Sequence, residues 1–156
     1  MEITNHALLI HTLLAAVNAH DAGRVAQLHA ADYEGLDVSR ALRFHGRDGA
    51  RTALDEWFQA FPDLQMSTRE ICRQSGQTAF FWTTAGTHEG VFLRVPPTGR
   101  RIEACGVSLL TVQNGKITRG LYLWDMAGLL RSMKLLPDLP GTGQPASQAE
   151  LLSSFL

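Results

Sequence analysis

The chain has 156 residues, 45% of them hydrophobic and 19% charged, enough for one compact domain with a genuine core and too few for two. Fourteen Lys+Arg against fifteen Asp+Glu give a formal net charge of -1, and the charges are scattered, so the footprint expected for a nucleic-acid or anionic-membrane partner is missing. Cys72 and Cys105 sit in strand-like segments without the spacing of a disulfide framework or a cysteine zinc site, which predicts a reducing, cytoplasmic setting.

The opening segment lacks the basic start and unbroken apolar stretch of a signal peptide, and no run approaches the roughly 20 apolar residues of a membrane span. Instead Ile3, Leu9, Ile10, Leu13, Leu14 and Val17 recur at three- and four-residue steps, predicting an amphipathic helix that ends near His20. Asp21 stands where an N-cap belongs, ahead of a short helix carrying Val25 and Leu28. Tyr33 to Asp37 and Leu42 to Phe44 read as short extended pieces around a polar Ser39-Arg40 turn. Asp48 opens a third helix with Ala50, Leu54, Trp57, Phe58 and Phe61 on one side, stopped by Pro62.

From Leu64 the period becomes two. Leu64 to Gln74 and Thr78 to Thr87 form a predicted hairpin around Gly76. After the Pro96-Pro97-Thr98-Gly99 loop, Arg101 to Val112 and Lys116 to Trp124 form a second, joined by Asn114-Gly115. Asp125 begins a last helix through Met133, and Pro137 and Pro140 end regular structure. The predicted organisation is one domain over 1–140 and a C-terminal tail, 141–156, free to move or to dock on a partner subunit. Its fold class is α+β: a curved antiparallel sheet forming a cone, with the N-terminal helices packed over one face and a cavity enclosed between them.

Gly86-Thr87-His88-Glu89-Gly90-Val91-Phe92, Pro96-Pro97-Thr98-Gly99-Arg100, Asn114-Gly115-Lys116-Ile117 and Trp124-Asp125-Met126-Ala127-Gly128-Leu129-Leu130, in this order, resemble the SnoaL-like polyketide cyclase (ester cyclase) family. The resemblance implies a cone like that of nuclear transport factor 2, a homodimer, and a hydrophobic pocket. It implies aldol-type ring closure with no cofactor and no metal. Five residues after the isoleucine of the Asn-Gly-Lys-Ile turn the aromatic-polyketide cyclases carry their acid/base aspartate, and here that count reaches Tyr122. The supporting Gln and His of the preceding strand fall on Gly106 and Ser108.

Any enolising site needs a base beside an acidic C–H and a donor for the enolate oxygen. Tyr122 is a candidate donor with Ser108 assisting, or a core tyrosine with its hydroxyl satisfied nearby, and Gly106 leaves room for a ligand or marks a bulge. His88 is a candidate proton shuttle or a loop anchor. Asp37 and His45 flank the irregular segment that the resemblance puts at the pocket mouth, where either could act as base or, for Asp37, bond its own turn. Asp125 is a candidate base or the N-cap of the last helix. Trp57, Phe61, Trp82 and Trp124 are candidates to line the cavity or fill the core. The expected function is cofactor-independent acid/base cyclisation or isomerisation of a hydrophobic, carbonyl-bearing small molecule. Two alternatives stay open: a non-catalytic ligand-binding or dimeric accessory protein, and a hydrolase or hydratase that activates water in the same pocket.

Overall fold

The computed structural model describes residues 2–139 and 150, with side chains from His6 onward. The predicted tail, 141–156, lies outside the described residues except for Glu150. Helix α1 (Glu2–Asn18) is followed by α2 (Ala22–Leu28), strands β1 (His29–Asp37) and β2 (Leu42–His45), and helix α3 (Gly46–Ala60). Then come β3 (Gln65–Gln74), β4 (Gln77–Thr87), β5 (Arg101–Gln113), β6 (Lys116–Trp124) and helix α4 (Met126–Ser132). Asp21 caps α2 by accepting from the Arg24 N–H at 2.8 Å, which satisfies one of the donors a helix start leaves open. Helix α3 begins earlier than the sequence predicts, at Gly46, so Asp48 lies in its first turn rather than at its cap.

Both central hairpins turn on paired left-handed residues, Ser75-Gly76 and Asn114-Gly115, the backbone that matches the twist of the strands they join. The six strands form one sheet in the order β2-β1-β6-β5-β4-β3. The expected sheet is antiparallel, and here the structure corrects the sequence reading: β1 runs parallel to β6, pairing Gly35 with Gly120 and Asp37 with Tyr122. The hairpins fix the direction of β6, and β1 joins its free edge from far away in the chain, a pairing that local patterns do not encode.

Alternation along β4 and β5 sends Phe80, Trp82 and Thr84, and Ile102, Ala104, Ser108 and Leu110, to the buried face beneath the helices. The opposite face of β5 and β6 leaves Val107, Leu121 and Leu123 exposed by 40%, 41% and 54%. The result is an α+β cone with helices over an unclosed mixed sheet. Among the described residues no helix is long and apolar enough to cross a membrane.

Candidate active site

An apolar cavity of about 120 Å³ lies between the sheet and the helices. Leu13, Leu14 and Val17 of α1 and Leu54 and Trp57 of α3 roof it. Most of the polar groups gather on the wall built by β1, β5 and β6, with Arg40 from the turn after β1 and Thr84 from β4.

The centre of that wall is a pair of phenols. Tyr33 and Tyr122 both line the cavity, and their hydroxyls meet at 2.8 Å. What lets them meet is the glycine pair Gly35 and Gly120, cross-strand partners in the parallel ladder. A Cβ on Gly35 would lie 2.8 Å from Tyr33 Cζ, and one on Gly120 would lie 2.7 Å from Tyr122 Cζ. Each ring therefore lies down along its own strand over the glycine two residues away, Tyr33 from one end and Tyr122 from the other. Burial raises the Tyr33 pKa, and the neighbouring Tyr122 raises it further. Burial also pushes Tyr122 up to about 12, the Asp37 charge adding and the bond from Tyr33 opposing. Both phenols are neutral near pH 7. One donates to the other, and the second hydrogen is left for a ligand.

Beside them Asp37 is fully engaged. Its Oδ1 accepts from the Arg40 N–H at 3.1 Å and from Trp124 Nε1 at 3.0 Å, and Oδ2 accepts from Arg40 Nε at 2.7 Å. Arg40 also donates to Glu56 Oε2 at 2.6 Å. Burial opposes the Arg40 charge, and the bonds to Glu56 and Asp37 outweigh it, so its pKa is raised. Ser108 accepts from Trp82 Nε1 at 3.0 Å. These contacts anchor two indoles and leave Asp37 little capacity for a substrate proton.

Of the candidate residues, Tyr122, Asp37, Ser108, Trp57, Trp82 and Trp124 line the cavity together. Five others are placed elsewhere. Phe61 is fully buried among Trp57, Phe92 and His88, in the core rather than the cavity wall. Gly106 does not open room for a ligand, because Trp82 Cζ2 would lie 2.5 Å from a Cβ there and already fills the space. His45 is exposed at the N-cap position of α3. His88 is buried in the loop after β4, where its Nδ1 accepts from the Thr98 N–H at 3.2 Å and lies 3.0 Å from the Thr98 hydroxyl. Asp125 caps α4, accepting from the Gly128 N–H at 2.8 Å. Among the described residues no three His, Cys, Asp or Glu side chains gather as a ligand set.

Among the lining residues that sequence reasoning did not place in the site are Tyr33, Arg40 and His29. A signal for the first existed. Tyr33-x-Gly35 and Gly120-x-Tyr122 are mirror spacings that clear a floor for a ring on each strand.

A hydrophobic cavity inside a helix-covered, curved sheet is the architecture of the ketosteroid isomerase-like fold. The SnoaL-like polyketide cyclase family matches residues 7–133, and the chain belongs to it. In structure it is similar to AclR, a proposed hydroxylase from Streptomyces galilaeus, at 25% identity and a TM-score of 0.78, covering 99% of this chain and 92% of that one. It is also similar to IdmH, a proposed polyketide cyclase from Streptomyces antibioticus, at 23% identity and 0.72, covering 82% and 97%. A Catenulispora acidiphila protein with a ketosteroid isomerase-like fold follows at 14% and 0.72, covering 85% and 97%. A search of curated proteins finds no match. Together these likenesses support a small-molecule enzyme on this fold without fixing its reaction.

Proposed function

We propose that this protein enolises a carbonyl of a hydrophobic small molecule, such as a polyketide, and thereby drives an aldol-type cyclisation or an isomerisation. The observation that carries the reading is the Tyr33–Tyr122 hydroxyl pair at 2.8 Å in a largely apolar cavity. A hydroxyl polarised by a second hydroxyl is a strong donor to an oxygen that gains negative charge, and it is worth most where water is excluded. Two neutral phenols also cost less to bury than a charged donor.

A hydrolase reading needs a base able to take a proton from water, and the carboxylate on the cavity wall is Asp37. Asp37 is a poor fit, since Arg40 and Trp124 occupy both of its oxygens. A purely ligand-binding protein would share the cavity, and turnover separates it from an enzyme. The test follows β,γ-unsaturated ketones of increasing size for conversion to the conjugated isomer. Tyr122→Phe should lower kcat/KM by about 10²-fold with KM little changed. Failure of every ketone to react, or full activity in Tyr122→Phe, would sink the proposal.

The same reading includes a homodimer. Val107 pairs across the ladder with Leu123, and Leu109 with Leu121, so the exposed side chains form one contiguous apolar patch that a second copy would cover. Leu123→Glu should convert dimer to monomer in light scattering. A wild-type monomer at micromolar concentration would refute it.

A further inference from the structure

The enolisation reading has a donor and lacks a base, because Asp37 is committed to Arg40 and Trp124. A second wall residue fills that gap. His29 is at once the C-cap of α2, its N–H bonded to the Ala26 carbonyl, and the first residue of β1. The helix–strand joint holds its backbone at both sides, and it pairs with Ile117 of β6. The residue is 3% exposed, lines the cavity and meets the Tyr33 ring edge-on at 4.5 Å. Its Nδ1 lies 2.8 Å from the Val25 carbonyl oxygen. A carbonyl only accepts, so Nδ1 carries the hydrogen and Nε2 the lone pair.

We infer that His29, acting through Nε2, is the base that takes the proton from the substrate carbon while the Tyr33–Tyr122 pair receives the carbonyl oxygen. The inference rests on the enolisation reading and supplies its missing partner. The step balances without a co-reactant. The α C–H proton passes to Nε2, its electron pair becomes the C=C bond, and the carbonyl π pair moves onto the oxygen bonded by the phenol. In an isomerisation the imidazolium returns the proton to the γ carbon. In an aldol closure the enolate carbon attacks a second carbonyl of the same molecule, and the imidazolium protonates the new alkoxide.

The surroundings keep His29 neutral before the reaction. α1 presents the apolar Leu13, Leu14 and Val17 to the cavity, and α2 contributes the Val25 carbonyl. From α3, Arg47 Nε donates to the His29 carbonyl at 3.1 Å, and from β6, Lys116 donates to the Gln27 carbonyl at 2.7 Å. On β1 the titratable group whose ring meets it is Tyr33. Burial lowers the His29 pKa below its ordinary 6.5, partly opposed by the Val25 bond.

The test uses 5-nitrobenzisoxazole, a small aromatic carbon acid. Loss of its C3 proton breaks the N–O bond and yields a coloured nitrile phenolate, with the phenolate oxygen where the tyrosines bond. The wild-type protein should turn it over with an acid limb in kcat/KM below pH 6.5 that coincides with the His29 imidazole titration in NMR, assigned by through-bond correlation of the ring to its own backbone in the isotope-labelled wild-type protein. His29→Gln should lose about 10²-fold or more of kcat/KM with an unchanged circular dichroism spectrum. The NMR comparison needs no variant activity, so a misfolded His29→Gln leaves the proposal open to refutation. An acid limb that tracks another group, or activity kept in His29→Gln and lost in Tyr122→Phe, overturns His29 as base and leaves the enolisation reading standing. A wild-type protein that turns over neither this probe nor the ketones overturns both.

Discussion

Glycines thin the inner face of the sheet in two places, and the rings laid over them differ in what they have left to offer. At Gly106 the covering groups are the Trp82 ring, the Trp124 Cβ and the Leu123 carbonyl oxygen. Each indole N–H there is committed, Trp82 to Ser108 and Trp124 to Asp37. At Gly35 and Gly120 the covering groups are phenols, and a hydroxyl donates as well as accepts, so a bonded pair still keeps one hydrogen. The same device thus makes a wall at one seam and a reactive surface at the other. The distinction lies in the hydrogen-bond capacity of the ring rather than in burial or shape.

The largest effect should come from cutting the anchor of the wall. Asp37→Ala leaves Trp124 Nε1 without an acceptor and removes one partner from an ion pair whose side chains are 4% and 6% exposed. Breaking such a pair costs about 3–5 kcal/mol, read by urea denaturation. A loss under about 1 kcal/mol would mean that Glu56 alone suffices for Arg40.

Two alanines divide the seams directly. Gly106→Ala meets the Leu123 carbonyl oxygen at 2.7 Å as well as Trp82, and a backbone atom cannot swing away. Its expected cost is about 1–3 kcal/mol of stability. Gly120→Ala meets the far end of Tyr122, which can rotate off the floor. It should lower turnover far more than the melting temperature. If both variants lost stability equally with activity intact, the two seams would be equivalent and the contrast wrong.

A smaller effect is expected at the cap outside the cavity. Asp125→Ala should cost about 0.5–2 kcal/mol of stability and Asp125→Asn almost nothing, both with activity retained. An inactive but folded Asp125→Asn would put this carboxylate into the chemistry.

The last measurement needs no variant. The chain has two tyrosines, both in the pair, so tyrosinate absorbance reads that site alone. Their pKa values are raised, so the native state holds protons that the unfolded chain releases near pH 10. The stability they contribute is full below about pH 10 and is lost as pH rises toward about 12, the Tyr122 value. Melting temperature should fall across that window while absorbance lags behind. Tyrosinate forming near pH 10 in the folded protein would show the phenols to be open to water.

Local signals in the sequence carried much of the fold. The Asn114-Gly115 turn, the period-two runs of β4 to β6 and the caps at Asp21 and Asp125 each involve neighbours within a few residues, where pattern and chemistry coincide. The β1–β6 seam was illegible because its register joins residues such as Asp37 and Tyr122, and a short apolar run does not announce its partner. The site suffered for the same reason. Tyr122 was found by counting from a turn, whereas Tyr33 becomes its partner only through that seam. His29 follows the predicted helix that carries Val25 and Leu28, and nothing local shows that its ring turns toward a cavity.

The hydroxyl bond between Tyr33 and Tyr122 spans 89 positions, and this has a consequence for biosynthesis. Helix α2 and strand β1 leave the ribosome long before β6, so β1 waits without its β6 partners while the two hairpins are made. Such long-range pairing closes late, after local hairpins have formed. The reactive face is therefore the last part of the molecule to exist, and a chain stalled before Lys116 carries half of it. Pulse-labelled hydrogen exchange during refolding should protect the amides of β4 and β5 before those of β1. Protection of β1 first would reverse that order and make the seam a nucleus instead of a closing step.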